Sequence, residues 1–222
     1  MGRLTLSGGN DVSSIGHGHG MTESTQSPQD QPSPSQQTTK RFAFLVAPEG
    51  IERVELTDPW DAVRDAGHEA VLVSTEEGEV QTFDHLDKAE TRPVDKVVAD
   101  VSVDDFDVLV LPGGVANPDA LRLDEKAVAF VGEFVRSGKP VAAICHAPWT
   151  LVEAGVLEGR TLTSWPSLQT DIRNAGGEWK DDRVVVDGNL ITSRNPDDLP
   201  PFIGALLEAA NHGVDYSRHA DS

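Results

Sequence analysis

Cys145, the only cysteine in this chain of 222 residues, stands directly before His146 in the segment VAAICHAPW, residues 141–149. A short apolar run precedes the pair, and Pro148 follows where a helix's first turn accepts a proline, because no N–H is needed there. The segment predicts a strand that ends at Cys145 and a helix that begins at His146. The thiol would then sit on a sharp turn between them, as nucleophiles do in many α/β enzymes.

Peptide N–H groups at the start of a helix favour a nearby negative charge, so the sequence predicts a reactive thiolate at Cys145. The alternative is an inert cysteine that only packs. The backbone N–H of His146 is placed to face an oxyanion, and Gly114 can supply a second donor. The His146 side chain is either a catalytic group or a solvated residue at a helix start, and the sequence leaves both open.

Three acidic residues follow the first predicted strand, namely Glu49, Glu52 and Glu55. Glu52 and Glu55 are three residues apart, so both can lie on one side of a helix start. A carboxyl that faces an apolar pocket holds its proton more tightly and can hydrogen-bond a thiolate. The alternative is a favourable charge at a helix N-terminus, which would explain an acid there without any chemistry.

Strands and helices alternate from Phe42 onward, which predicts an α/β domain with a mostly parallel sheet between helices. The carboxyl ends of parallel strands share one edge of the sheet, so Glu55, Gly114 and Cys145 are expected to meet there. Residues 75–104 are predicted to hold a hairpin or an irregular excursion. Strands are predicted at 42–47, 69–74, 107–114, 140–145, 160–164 and twice within 183–193, and helices at 54–67, 124–139, 146–157, 166–176 and 196–213.

Composition excludes several function classes. The formal net charge is -19, which argues against stable nucleic-acid binding because a phosphate backbone needs a basic face. A single cysteine allows no internal disulfide and fits the reducing cytoplasm, where we expect the protein. No apolar stretch is long enough to span a membrane, and no apolar signal segment follows the N-terminus, so no membrane association is expected.

Residues 1–40 are rich in Ser, Gly, Gln, Pro and Thr and are predicted to be a disordered tail, because they offer little apolar surface to bury. One domain is predicted over 41–215, followed by a short tail at 216–222. The HGHG segment at 17–20 could bind a metal, but histidines in a disordered tail form no preformed site. We therefore predict no metal site and no cofactor.

The segments DVLVLPGG, AAICHAPW and TSRNPDDLP closely resemble the PfpI group of the ThiJ/PfpI superfamily, which includes the parkinsonism-associated deglycase. The resemblance runs from about residue 42 to residue 212. It implies a flavodoxin-like three-layer sandwich, similar to class I glutamine amidotransferases. It also implies that Cys145 is a nucleophile on a strained turn, that Glu55 hydrogen-bonds its sulfur, and that the N–H groups of Gly114 and His146 form an oxyanion pocket.

In PfpI-like oligomers an acid after the Pro-Gly-Gly turn reaches the histidine of a neighbouring subunit. The matching residue here is Asp119, where the family more often has Glu, and the loop carries one extra residue. Trp165 replaces a tyrosine that is frequent near the site. The resemblance implies self-association as a homodimer or a hexamer.

Three activities are implied by the resemblance: deglycation of methylglyoxal adducts, glyoxalase action without a cofactor, and intracellular peptidase action. A thiolate beside a carboxyl suits addition to an aldehyde, so small reactive carbonyls and glycated protein or nucleotide rank first as substrates in a stress response. A peptidase ranks second, since it needs a histidine aligned by a partner.

A non-enzymatic oxidative-stress sensor or chaperone that acts through Cys145 oxidation stays open. A glutamine amidotransferase is disfavoured, because the late histidines His212 and His219 lack an H-x-E pattern.

Overall fold

The computed structural model describes residues 38–212. The predicted tails and the HGHG segment therefore lie wholly or almost wholly outside the described residues.

Short 3₁₀ helices cover Val98–Asp100, Val103–Asp105, Pro166–Leu168 and Pro196–Asp198. The α-helices are α1 (Arg53–Asp65), α2 (Ala116–Leu121), α3 (Glu125–Arg136), α4 (Pro148–Glu153), α5 (Gln169–Asn174) and α6 (Leu199–His212). The strands are β1 (Arg41–Val46), β2 (Glu49–Glu52), β3 (Glu69–Ser74), β4 (Glu79–Asp84), β5 (Asp87–Pro93), β6 (Lys96–Val97), β7 (Val108–Leu111), β8 (Val141–Ile144), β9 (Thr161–Leu162), β10 (Glu178–Trp179), β11 (Val184–Asp187) and β12 (Leu190–Ser193).

A seven-stranded sheet forms the middle layer, with the strand order β11-β12-β8-β7-β1-β3-β6. Every neighbouring pair is parallel except β11 with β12, which form an antiparallel hairpin. The predicted mostly parallel α/β sheet is confirmed. Parallel strands of this kind are covered on both faces, which explains why β7 and β8 are apolar and buried along their whole length.

Alternating side chains of β1 belong to two different hydrophobic cores, one on each face of the sheet. Phe42, Phe44 and Val46 pack into the core that α1 and α6 cover, whereas Ala43 and Leu45 pack into the core covered by α3, α4 and α5. Successive side chains of a strand point to opposite faces, so one apolar strand can serve both layers. The three-layer sandwich that the sequence predicted is the observed architecture.

Phe130 and Phe134 on α3 are core residues. Both are buried, and their rings pack against each other at 5.7 Å between centroids. Pro59 lies at the middle of α1, which runs from Arg53 to Asp65, so the helix is not confined to the turns after this proline.

The predicted excursion at residues 75–104 contains a hairpin, which belongs to a separate small sheet with the order β2-β4-β5. β2 directly follows β1 and pairs in parallel with β4, and β4 pairs antiparallel with β5. The predicted strand at 160–164 does not join the central sheet, because β9 pairs with β10 instead. None of the helices in the described part of the chain is both long and apolar enough to cross a membrane.

Asn117 on α2 ties the turn after β7 to the end of β1. Its side chain is fully buried. The amide oxygen accepts a hydrogen bond from the Ala47 N–H at 2.7 Å, and the amide nitrogen donates to the carbonyls of Pro112 and Gly113 at 2.9 and 3.0 Å. One side chain therefore satisfies three buried backbone groups at the edge where the strands end.

Asp198 joins two arginines beneath the loop that precedes α6. Its carboxylate is almost fully buried and accepts hydrogen bonds from Arg183 Nε at 3.0 Å and from Arg194 Nε at 2.8 Å. Desolvation alone would raise the pKa of Asp198, but the hydrogen bonds and charges of Arg194 and Arg183 outweigh it and hold that pKa below its usual value. The network fixes the segment that carries Pro196.

Asn117→Ala should lower the free energy of unfolding by about 3 kcal/mol, because it leaves buried N–H and C=O groups without partners. Urea unfolding followed by circular dichroism measures the change. Ala120→Ser, at an exposed position of the same helix, is the control and should stay within about 0.5 kcal/mol of the parent. Equal stability of the two variants would show that Asn117 does not hold the turn.

Asp198→Ala should destabilise the fold by about 2 kcal/mol above about pH 4, because hydrogen bonds to charged groups are lost. The difference should shrink at lower pH, since a carboxylate with a lowered pKa loses its contribution as the folded state becomes protonated. Thermal unfolding between pH 3 and pH 7 tests this. Asp197→Ala, at the exposed neighbouring side chain, should show no such pH dependence.

Candidate active site

Cys145 follows β8 at the carboxyl edge of the sheet and adopts a φ of 62°. This left-handed conformation is uncommon for a residue with a Cβ and concentrates at functional sites. Its N–H donates to the Ser193 carbonyl at 3.1 Å, and its carbonyl accepts from the Trp165 N–H at 2.8 Å. Neighbouring backbone therefore holds the sharp turn that the sequence predicted.

Several groups surround the Cys145 sulfur, which is almost completely buried. The peptide N–H groups of Gly114 and His146 donate hydrogen bonds to it, and the Glu55 carboxyl lies in hydrogen-bond contact. The His146 ring approaches from another side, with Nδ1 at 3.2 Å from Sγ. Residues from α1, the turn after β7 and the turn after β8 thus converge on one sulfur.

Glu55 reaches the sulfur from the first turn of α1 and has no exposed surface. Its Oε2 accepts a hydrogen bond from the Gly113 N–H at 3.0 Å. Its Oε1 is buried and has no hydrogen-bond partner among the described residues. Desolvation, helped by the negative charge of Glu52, raises the pKa of Glu55 to about 8. The carboxyl is therefore mostly protonated at neutral pH.

Burial also changes the pKa of the Cys145 thiol. Desolvation first, and then the charge of an ionised Glu55, raise the pKa of Cys145, while the N–H groups of Gly114 and His146 oppose the rise. The lowered pKa that the sequence predicted from a helix start is not found. α4 begins only at Pro148 and spans six residues, so its end is too weak to outweigh the loss of water. The sulfur and the carboxyl share one dry pocket in which both hold their protons.

The His146 ring folds back onto the sulfur because of the bend at Cys145. It stacks on Trp165, with ring centroids 5.6 Å apart and planes at 22°. Its Nε2 lies 3.5 Å from the Ser167 hydroxyl, a residue that sequence reasoning missed. Desolvation lowers the pKa of His146, so the ring is neutral and can accept a proton. Of the two predicted roles, the geometry favours the catalytic one over a solvated helix start.

The two glycines after β7 allow this close approach. A Cβ on Gly113 would lie 2.6 Å from the Cβ of Cys145, and Gly114 has a φ of 83°. Neither position therefore accepts a side chain without displacing the site. The sequence showed the Gly113-Gly114 pair behind a buried strand, but a role was predicted only for Gly114.

A cavity of about 400 Å³ opens above the sulfur. Glu49 and Glu52 line it together with Glu55, as their position after the first strand suggested. The end of β4 and the turn that follows it add Phe83, His85 and Leu86. Sequence reasoning missed this contribution, because nothing in the local pattern of residues 75–104 reveals a contact with the end of β1.

Asp119 is not part of this cluster within one chain. It lies exposed on α2 and does not line the cavity. Its role toward the histidine of a neighbouring copy stays a prediction. Among the described residues, no group of three or more His, Cys, Asp or Glu side chains is placed to hold a metal ion.

Comparisons with known proteins agree with this geometry. A deglycase from Thermococcus kodakarensis is 45% identical over 156 residues, which is 70% of this chain and 91% of the relative. Protein/nucleic acid deglycase 2 from Escherichia coli is 44% identical over 165 residues, covering 74% of this chain and 94% of the relative. Drosophila melanogaster DJ-1beta superposes with a TM-score of 0.71 at 32% identity, covering 78% of this chain and 91% of that chain.

The match to a family is equally broad. Residues 40–209 match the DJ-1/PfpI family, and this range contains Glu55, Gly114, Cys145 and His146. With most of its length matched and relatives well above 40% identity, this chain belongs to the DJ-1/PfpI family.

Proposed function

We propose that this protein is a cysteine-dependent enzyme that acts on reactive carbonyls, as a deglycase of methylglyoxal or glyoxal adducts or as a glyoxalase that needs no cofactor. The observation that carries the proposal is the meeting of the Cys145 sulfur, a protonated Glu55 and a neutral His146 in one cavity. The deglycase names of the Thermococcus and Escherichia relatives support it.

The first step is addition of the sulfur to the aldehyde carbon, which forms a hemithioacetal. The thiol proton passes to His146 Nδ1, which lies 3.2 Å from the sulfur. A buried thiol is a poor nucleophile until it loses this proton, so a neutral ring in contact with it is the required base. The N–H groups of Gly114 and His146 stabilise the new oxyanion, and Glu55 gives it a proton.

The second step moves hydrogen between neighbouring carbons. Glu55, now ionised, removes the hydrogen of the sulfur-bearing carbon as a proton, and protonated His146 returns a proton to the adjacent carbon. The hydroxyl proton of the first carbon moves to the oxygen of the second, which leaves a thioester carbonyl beside a hydroxyl group. The first carbon is oxidised by two electrons and the second is reduced by two, so no external redox partner is needed. The product is a thioester of a 2-hydroxy acid. Water cleaves it, releases lactate when the substrate is methylglyoxal, and restores the thiol.

A glycated amine reaches the same hemithioacetal by substitution instead of addition. Its former aldehyde carbon carries a nitrogen and a hydroxyl group. The sulfur replaces the nitrogen, the C–N bond breaks, and the amine leaves with a proton. The hemithioacetal that results is identical to the one formed from the free aldehyde. One set of residues therefore supports both the deglycase and the glyoxalase reaction.

The peptidase and sensor alternatives fit the site less well. A peptidase needs an acid that aligns the histidine, and among the described residues only the Ser167 hydroxyl approaches His146 Nε2. A peroxide sensor needs a thiolate before the oxidant arrives, whereas burial raises the pKa of Cys145 and keeps the thiol protonated. Carbonyl chemistry needs neither, because the proton leaves the sulfur during the reaction.

Cys145→Ala should reduce lactate formation from methylglyoxal by about 1000-fold or more, because the nucleophile is gone. Glu55→Gln should reduce it by about 100-fold or more, because the amide cannot carry the proton. Steady-state rates are measured with an enzymatic assay for lactate. Leu123→Ser, exposed and away from the cavity, should keep the parent rate. Full activity in Cys145→Ala would eliminate the proposal.

Glu55→Gln should also make the protein more stable at neutral pH. An unfolded chain releases the glutamate proton near pH 4, whereas the folded protein holds it up to about pH 8. Wild-type stability therefore falls as pH rises through this window, and a glutamine does not share the loss. The variant should gain on the order of 2 kcal/mol near pH 7.5 and almost nothing near pH 4. Urea unfolding across this range measures it, and a pH-independent difference would contradict the raised pKa.

A further inference from the structure

Exposed apolar side chains cluster at the mouth of the cavity. Among the described residues, Leu86, Val115 and Trp165 are 93%, 57% and 40% exposed, and all three line the cavity that holds Cys145. We call these three residues the apolar collar. The other large apolar side chains exposed in this part of the chain, Leu123 and Val186, do not line it. Single exposed apolar residues are ordinary, but a ring of them around a reactive group indicates contact with a ligand.

The collar is attached to the catalytic elements. The Trp165 ring stacks on His146, and the backbone N–H of Trp165 donates to the Cys145 carbonyl. Leu86 lies on the turn between β4 and β5, next to His85. The His85 N–H donates to Glu52 Oε2 at 3.2 Å. These contacts set the collar at a fixed position relative to the sulfur.

The turn that carries Leu86 has a second attachment. Arg53 Nε donates to Asp84 Oδ1 at 2.8 Å and lies 3.7 Å from Glu90 Oε2. Arg53 and Glu52 are consecutive residues at the junction of β2 and α1, just before Glu55. The same short segment therefore holds both the proton-carrying acid and the collar's most exposed member.

The charged residues of the cavity restrict what the collar can contact. Glu49, Glu52 and Glu55 line the cavity, and neither Lys nor Arg does. A negatively charged substituent would face the carboxylates of Glu49 and Glu52 with no Lys or Arg to pair with, which is unfavourable in a partly desolvated site. An uncharged apolar group meets no such cost and covers the exposed surfaces of Leu86, Val115 and Trp165.

We propose that the apolar collar makes this enzyme selective for carbonyl substrates in which the carbon next to the aldehyde carries an uncharged apolar substituent, above all an aromatic ring. The inference rests on the proposed function, in which Cys145 attacks the aldehyde. An aromatic substituent gains both apolar burial and offset stacking against the indole of Trp165. For phenylglyoxal the steps written above consume one water and give mandelate, so atoms and electrons balance as they do for lactate.

The test compares phenylglyoxal with methylglyoxal in the parent protein, Leu86→Ser and the control Leu123→Ser. Initial rates are taken within the first minutes, because phenylglyoxal also modifies arginine side chains slowly. The parent should prefer phenylglyoxal in kcat/KM. The preference should fall about 5- to 10-fold in Leu86→Ser, mainly through KM, since one lost apolar contact discriminates by about this factor. Leu123→Ser should keep the parent preference, and 4-carboxyphenylglyoxal should react more slowly than phenylglyoxal with the parent.

The possible failures are distinguishable. If the parent converts neither aldehyde faster than Cys145→Ala, the proposed function fails and the inference falls with it. If both aldehydes are converted but Leu86→Ser and Leu123→Ser keep the same preference, only the collar's role is overturned. Light scattering on both variants addresses the remaining explanation. A smaller assembly in Leu86→Ser alone would show that the collar is a contact between copies, which also overturns its role in selecting substrates.

Discussion

The contact between the Glu55 carboxyl and the Cys145 sulfur is the interaction on which the site depends. Both groups are acids, and both are removed from water in the same pocket. Burial raises the pKa of both groups, and an ionised Glu55 raises that of Cys145 further, so both hold their protons at neutral pH. The chemistry then follows from where those protons can go, and the neutral ring of His146 is the acceptor within reach. The reaction proposed above therefore depends on proton transfer while it proceeds and not on a thiolate that is already present.

The buried pair and the strained turn at Cys145 lower the stability of the fold, and contacts close to the site offset this loss. Cys145 holds a left-handed backbone conformation, and Glu55 Oε1 is buried without a nitrogen or oxygen partner. Strain and desolvation of this kind persist only where the surroundings fix them. The surroundings here are the fully buried strands β7 and β8 and the side chain of Asn117, which satisfies three backbone groups at the same edge.

The small sheet β2-β4-β5 gives this site an environment that the central sheet alone would not provide. It grows from the residues directly after β1 and carries Phe83 and Leu86 to the cavity. The reactive groups sit on the rigid carboxyl edge of the parallel sheet, whereas part of the cavity wall comes from an added hairpin. Residues of this hairpin can therefore change without moving the sulfur.

The sequence by itself determined the layered α/β architecture, the strand that leads into Cys145 and the acids that follow the first strand. Those features are local: apolar runs, glycine turns and residue spacing report on a few neighbouring residues at a time. It did not determine that β9 pairs outside the central sheet, or that the hairpin between residues 79 and 93 adds Phe83, His85 and Leu86 to the cavity wall, because these depend on contacts between distant segments. The protonation of Glu55 and Cys145 was also decided only by tertiary structure. A helix start argues for a thiolate, but burial is a property of the whole fold, and here it outweighs the helix. The bend that brings the His146 ring back onto the adjacent sulfur likewise exists only because surrounding backbone holds Cys145 at its positive φ.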